Sequence, residues 1–327
     1  QWLEGYSRRT FGEDALASLI TAILLIPQSL AYALLAGLPA QAGLYASIAP
    51  LVAYALFGSS RVLAVGPVAV VSLMTAAAIG NLGLTDPAEQ MAAAGALAAL
   101  SSFFLLLFGL FKLGSVSNFL SRPVVGAFVT ASTILIIASQ AKHILGINSH
   151  GSTLPEILLS MSPQLGAINL VALVIGLGSI AFLVAARTVL PRLLTALKLS
   201  EDMAGGIARA APAGLVVLAT TIAWSLHLDS GADLAVVGAL PSGLPPIQLP
   251  IVSLDIWRAL IGPAALISLI GFVESVSVGQ SLAARRRESV NPDRELFGLG
   301  AANAAAALTG GYPVTGGFAR SVVNEAA

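Results

Sequence analysis

Two charged side chains stand inside otherwise apolar stretches of this sequence, Glu274 and Arg320. An ionised group at mid-bilayer costs about 3 kcal/mol on insertion scales, so such residues usually face a cavity and serve a function. Arg320 falls in Gly310–Asn324, Gly-Gly-Tyr-Pro-Val-Thr-Gly-Gly-Phe-Ala-Arg-Ser-Val-Val-Asn. Paired glycines, an extended Pro-containing piece and a second glycine break lead there into a helical run with Arg320 in its first turn. Arg61–Met74 has the same plan: Val62–Val65 extended, Gly66-Pro67 as the break, and Val68–Ala78 as an apolar helix too short to cross a membrane. Two interrupted segments at matching places point to a transporter's central site. Half-helix starts leave N–H groups and a positive dipole end inside the protein, which suits an anion. Arg320 then adds a cation to the site, or else forms a structural ion pair with Glu274. For Glu274 the two readings are a carboxyl that carries a proton or ligates sodium, and a carboxyl hydrogen-bonded to a neighbouring helix.

Gln28 offers a neutral hydrogen-bonding group beside Pro27, whose ring removes a backbone hydrogen bond in mid-span. It either meets the substrate or caps the freed carbonyls. Tyr32, one turn on, lines a cavity or packs. No nucleophile–base pair or metal-ligand cluster accompanies these residues, so an enzyme is not expected. His143, His150 and His227 are scattered, and there is no cysteine. No metal, cofactor or nucleic-acid partner is expected.

The elements that must position these groups are membrane spans. Hydrophobic residues make up 57% and charged residues only 10% of the 327, against roughly a quarter charged in soluble domains. The expected architecture is an all-α polytopic membrane protein. Residues 1–14 read as an amphipathic lead-in with Trp2, Tyr6 and Phe11 as interfacial anchors. Spans follow at 15–38, 43–57, 62–79 (the broken element), 90–111, 124–141, 168–186, 210–226, 256–282 and 294–308, several near the roughly 20 residues a hydrocarbon core requires. The Pro/Gly-rich region 231–255 reads as an outer loop. The Ala-rich runs 92–99 and 301–307 read as close helix packing.

Basic residues set the orientation. With the N-terminus in the cytoplasm, Arg8, Arg9, Arg61, Lys112, Arg122, Arg294 and the clusters Arg187–Arg209 and Arg285–Arg287 fall inside. Only Lys142 and Arg258 fall outside, where the loops hold Asp86, Glu89, Glu156, Asp229, Asp233 and Asp255. This is a positive-inside pattern, and it requires the short third element to count as one crossing.

The first and eighth spans can be superposed, Leu25–Leu30 on Gly271–Val276, and the interval from Gln28 to Gly66 nearly matches that from Glu274 to Gly316. A repeat of seven crossings is odd, so its copies must be inverted. The expected domains are a first repeat at 15–230 and the start of a second at 256–327, with about four more spans in the whole protein. Each broken helix is expected to follow a short extended strand.

Five motifs carry a resemblance: Ile-Pro-Gln-Ser-Leu-Ala-Tyr-Ala at 26–33, Gly-Leu-Tyr-Ala-Ser at 43–47, Gly-Pro-Val-Ala-Val-Val-Ser-Leu-Met at 66–74, Gly-Phe-Val-Glu-Ser at 271–275 and Pro-Val-Thr-Gly-Gly-Phe-Ala-Arg-Ser-Val-Val-Asn at 313–324. In order and spacing the chain resembles the SulP sulfate-permease family, which includes pendrin and prestin. The resemblance implies a seven-plus-seven inverted repeat split into core and gate domains, followed by a cytoplasmic STAS domain, in a homodimer moving as an elevator. It implies an anion held between the third and tenth helices, by Val68 and Ala69 on one side and Ala319, Arg320 and Ser321 on the other, with Gln28 and Tyr32 from the first helix. Glu274 falls on an acidic position tied to proton or sodium coupling. Ala319 departs from the hydroxyl residue of many members, which leaves the choice of anion open. The expected function is secondary transport of sulfate, bicarbonate or a dicarboxylate by proton symport. Sodium symport, exchange and an uncoupled channel or motor are the alternatives. The expected location is the inner (plasma) membrane, in contact with lipid.

Overall fold

Apolar helices dominate the computed structural model, which describes residues 7–115, 122–149, 151, 153–198, 200–236, 238, 243–286 and 288–326. The proposed anchors Trp2 and Tyr6 lie outside the described residues, as does Arg287. Among the described residues, four helices are long and apolar enough to cross a membrane: Ala17–Leu35, Pro87–Leu110, Leu170–Thr188 and Leu254–Ala284. The chain divides into two compact units, residues 1–129 with 239–327, and residues 130–238.

The first unit contains α1 (Arg8–Leu35), α2 (Gln41–Phe57), β1 (Val65–Gly66), α3 (Ala69–Gly80) and α4 (Pro87–Leu110). α5 (Arg122–Leu145) begins in it. The lead-in from Arg8 onward is helical and continuous with the first span. Pro27 does not end α1. Its missing N–H deletes one bond of the ladder while the turns on either side hold the helix together. α1 crosses α2 closely: a Cβ on Gly43 would collide with the Ser29 carbonyl, and the Ser29 and Ser47 hydroxyls pair at 2.7 Å.

The second unit holds the rest of α5. α6 (Leu154–Met161), a 3-10 turn, α7 (Leu170–Thr188), α8 (Leu190–Ala196), α9 (Glu201–Ser225) and α10 (Leu228–Gly231) follow within it. The short helices α6, α8 and α10 have no counterpart among the predicted spans, because apolar length was the signal and each is too short to supply it. Asn169 caps α7 by accepting from the Val171 and Ala172 amides at 2.9 and 3.1 Å, and it donates to the Ala232 carbonyl at 2.8 Å.

The chain returns to the first unit with α11 (Leu254–Arg286), α12 (Pro292–Leu308), β2 (Thr315–Gly316) and α13 (Phe318–Ala326). Here small residues let helices approach, as the Ala-rich runs predict. α12 packs on α4 and α2, and Ala94, Ala98, Ala302, Ala306 and Ala307 share one buried cluster. A Cβ on Gly300 would stand 2.7 Å from the Leu106 side chain, and one on Gly298 2.6 Å from the Gly58 Cα. A side chain at Gly298 would force the backbones apart, and one at Gly300 would displace Leu106.

Candidate functional site

The two extended pieces flanked by glycine and proline meet each other. β1 and β2 form an antiparallel ladder, Val65 opposite Gly316 and Gly66 opposite Thr315. α3 and α13 each start within a few residues of their strand, so the two half-helices are entered from opposite ends of one ladder. The Gly317 amide donates to the Ala64 carbonyl at 3.1 Å and extends the junction. α1 packs against both half-helices.

On the first side, Val68 is the N-cap of α3, in extended conformation and without a side-chain capping bond, and Ala69 opens the helix. An α-helix leaves its first-turn amides without intrahelical acceptors, and the N-cap side chain of α3 does not bond them. Val68 and Ala69 are both buried.

On the second side, Arg320 is buried, at 4% exposure. Its Nη2 donates to the Pro67 carbonyl at 2.7 Å, and its Nη1 is buried without a hydrogen-bond partner. Two glycines make room for the guanidinium: a Cβ on Gly66 would stand 2.5 Å from Nη1, and one on Gly317 3.0 Å from Nε. Tyr32, Tyr312 and Glu274 lie close enough to interact electrostatically with it. Ser321 is fully buried. Its hydroxyl accepts from the Ala64 amide at 3.0 Å and donates to the Gly317 carbonyl at 2.6 Å. The backbone of Ala319 belongs to α13, and its side chain lies outside what the structure describes.

Glu274 sits on α11 beside Ser275. Its Oε2 is buried with no hydrogen-bond partner, and among the described residues it forms no ion pair with Arg320. α11 is joined to the ladder through its neighbours instead. The Ser275 and Thr315 hydroxyls lie 2.6 Å apart, Thr315 Oγ1 bonds the Gly271 carbonyl at 2.5 Å, and the Gly316 amide donates to Ser275 Oγ at 2.8 Å. Gln28 Nε2 donates to the Tyr32 hydroxyl at 3.0 Å, so these two, one helical turn apart, act as one polar pair on α1.

Sequence reasoning missed the polar residues that hold this arrangement. The fully buried Tyr312 pairs its hydroxyl with Ser72 of α3 at 3.1 Å. Asn303 brackets Val314, donating to its carbonyl at 2.9 Å and accepting from its amide at 3.0 Å. Glu295, at 0% exposure, accepts from Tyr54 Oη at 2.8 Å and from the Ser59 and Ser60 amides at 2.9 and 3.1 Å. An asparagine within an alanine run and a glutamate at the start of an apolar helix were the available signals.

The profile of the sulfate permease family matches residues 11–327. A probable sulfate transporter of Mycobacterium tuberculosis is 37% identical over 320 residues, covering 98% of this chain and 54% of that protein. The chloroplastic sulfate transporter 4.1 of Arabidopsis thaliana is 36% identical over 327 residues, covering 99% and 46%. Human solute carrier family 26 member 6 is 30% identical over 344 residues, covering 99% and 44%. The chain therefore spans about half the length of the curated relatives it matches. These relatives are named as transporters, not enzymes.

Among solved structures, murine solute carrier 26 family member A9 in its inward-facing state superposes with a TM-score of 0.82 at 24% identity, covering 99% of this chain and 55% of that one. The transmembrane domain of the cyanobacterial bicarbonate transporter BicA gives 0.79 at 24% identity, covering 98% and 78%. The fold is thus the inverted-repeat membrane-transporter fold that the repeat in the sequence predicts. Continuous from residue 11 to the last, the match leaves one assignment: this chain belongs to the sulfate permease family.

Proposed function

We propose that the protein is a secondary active transporter of a small anion, held where α3 and α13 begin. One observation carries this reading: Arg320 is buried at the junction of two half-helix starts with one guanidinium nitrogen spent on Pro67 and another unpartnered. A buried cation with a spare donor, beside the uncapped start of α3, is complementary to an oxyanion. Gln28 and Tyr32 supply further polar contacts from α1, and Val68 and Ala69 supply backbone donors. Ser321 serves the site by stitching α13 to Ala64, since its hydroxyl is already engaged on both sides.

Sulfate is the first anion to test, with bicarbonate and a dicarboxylate next. Proton symport is the favoured coupling, because the orphaned Oε2 of Glu274 is a group that a proton would satisfy. An elevator motion in a homodimer, placed in the inner (plasma) membrane with a cytoplasmic N-terminus, and with the second repeat and a STAS domain completed by the full-length protein, accompanies this reading. The test is uptake of radiolabelled sulfate, bicarbonate and fumarate by proteoliposomes of the full-length protein, with and without an inward proton gradient. Gradient-stimulated uptake of one anion is expected. Stimulation by sodium alone, or trans-stimulation by internal anion, would replace symport with protons by sodium symport or exchange. Anion binding with no uptake under any gradient would point to a channel or motor.

A further inference from the structure

The ladder that joins α3 to α13 is only two residues long on each side, which is too little pairing to fix the position of a binding site. What grips it is α12. At the start of that helix Glu295 gathers the turn before β1: both Ser59 and Ser60 amides and the Ser59 hydroxyl bond Oε1, the last at 2.5 Å, while Tyr54 of α2 bonds Oε2. Ser60 Oγ then accepts from the Val62 and Leu63 amides at 3.4 and 3.2 Å, leading directly into the strand. Further along the same helix, Asn303 takes both backbone groups of Val314, the residue before β2. Each extended arm is therefore tied to one helix by one fully buried polar side chain.

We propose that Glu295 and Asn303 form a two-point clamp by which α12 sets the geometry of the ladder and, through it, of Arg320 and the starts of the two half-helices. This rests on the anion-site reading above. Both are positioning residues, and neither touches the anion. Ion pairing does not explain Glu295, because its partners are amides and hydroxyls. Four donors converging on one carboxylate orient a turn more tightly than a surface charge does, and removing the acceptor leaves two part-buried amides without it.

The experiment combines hydrogen exchange with binding of radiolabelled sulfate, bicarbonate and fumarate by the full-length protein in detergent. Glu295→Ala is expected to raise amide exchange across 59–66 about tenfold and Asn303→Ala to do so across 312–317. Exchange in α4 is unchanged in both, and the anion Kd rises about tenfold. Glu295→Gln keeps an acceptor for the serine amides and a donor facing Tyr54, so it stays within about threefold of wild type. Tyr54→Phe removes one bond to Glu295 and Ser59→Ala removes another together with the hydroxyl's bonds to the Asn291 backbone, and each gives a smaller rise at 59–66 should the alanine variant fail to fold. Unchanged exchange at 59–66 in these variants, or raised exchange with unaltered Kd, overturns the clamp. A wild-type protein that binds none of the three anions overturns the anion site instead, and the exchange measurements still decide the clamp.

Discussion

Arg320 donates from Nη2 to the carbonyl oxygen of Pro67, 2.7 Å away and 253 residues earlier in the sequence. The positive charge of one half-helix is thus fixed by the backbone of the other. A planar guanidinium can spend one nitrogen on that carbonyl and keep a second for an anion, whereas an ammonium cannot do both with the same geometry. Arg320→Lys is therefore expected to raise the anion Kd about tenfold, and Arg320→Ala to abolish measurable binding. Equilibrium binding of labelled sulfate to purified protein checks both.

Gly66→Ala places a methyl group 2.5 Å from Arg320 Nη1. The guanidinium must move or the ladder must part. Transport is expected to fall at least about tenfold with little change in the amount of folded protein. Gly317→Ala crowds the same group at 3.0 Å and should be milder. Uptake normalised to protein recovered by size-exclusion chromatography separates the two.

Ser321→Ala removes the acceptor for the buried Ala64 amide. Leaving that donor unpaired costs about 1–3 kcal/mol, so Tm in detergent falls while the ranking of anions in competition assays is retained. A changed ranking with unchanged Tm would assign Ser321 to the anion instead.

Glu274→Gln replaces the orphaned carboxyl with a neutral amide of the same shape. Stimulation of uptake by an inward proton gradient is expected to disappear, while anion binding at neutral pH stays within about threefold of wild type. Proton-gradient uptake that survives the substitution removes Glu274 from the coupling step.

Gln28→Leu breaks the bond to Tyr32 and removes a polar group from the face of α1. If the pair lines the site, KM for the anion rises several-fold with Vmax nearly constant. Tyr32→Phe produces a smaller change in the same direction. Equal losses in Vmax with constant KM would mean that the pair serves helix packing alone.

Much of this arrangement was legible in the sequence because glycine, proline and long apolar runs leave marks that survive without structure. The extended pieces before α3 and α13 and the Ala-rich contact of α4 with α12 follow from such marks. What escaped was the polar joinery. Asn303, Ser72, Ser275 and Thr315 are small groups in apolar runs, and nothing local says whether each faces a neighbour's backbone or its own preceding turn. Glu295 was hidden for a related reason: at the start of a helix a glutamate reads as a favourable end charge, and only the fold shows it buried beneath Ser59 and Tyr54.

The ladder also sets when the site can exist. Its two arms, Val65 opposite Gly316, lie far apart in the sequence, so β1 has no ladder partner while the intervening helices are being made. Contacts that remote in sequence are the slowest to form, and an unpaired strand edge is a hazard while it waits. The first half-helix must therefore sit half-built in the bilayer until α13 arrives, sheltered by α1 and α4. Synthesis of β2 and α13 closes what β1 and α3 began, and the proposed anion site forms only after the helices between them have been made.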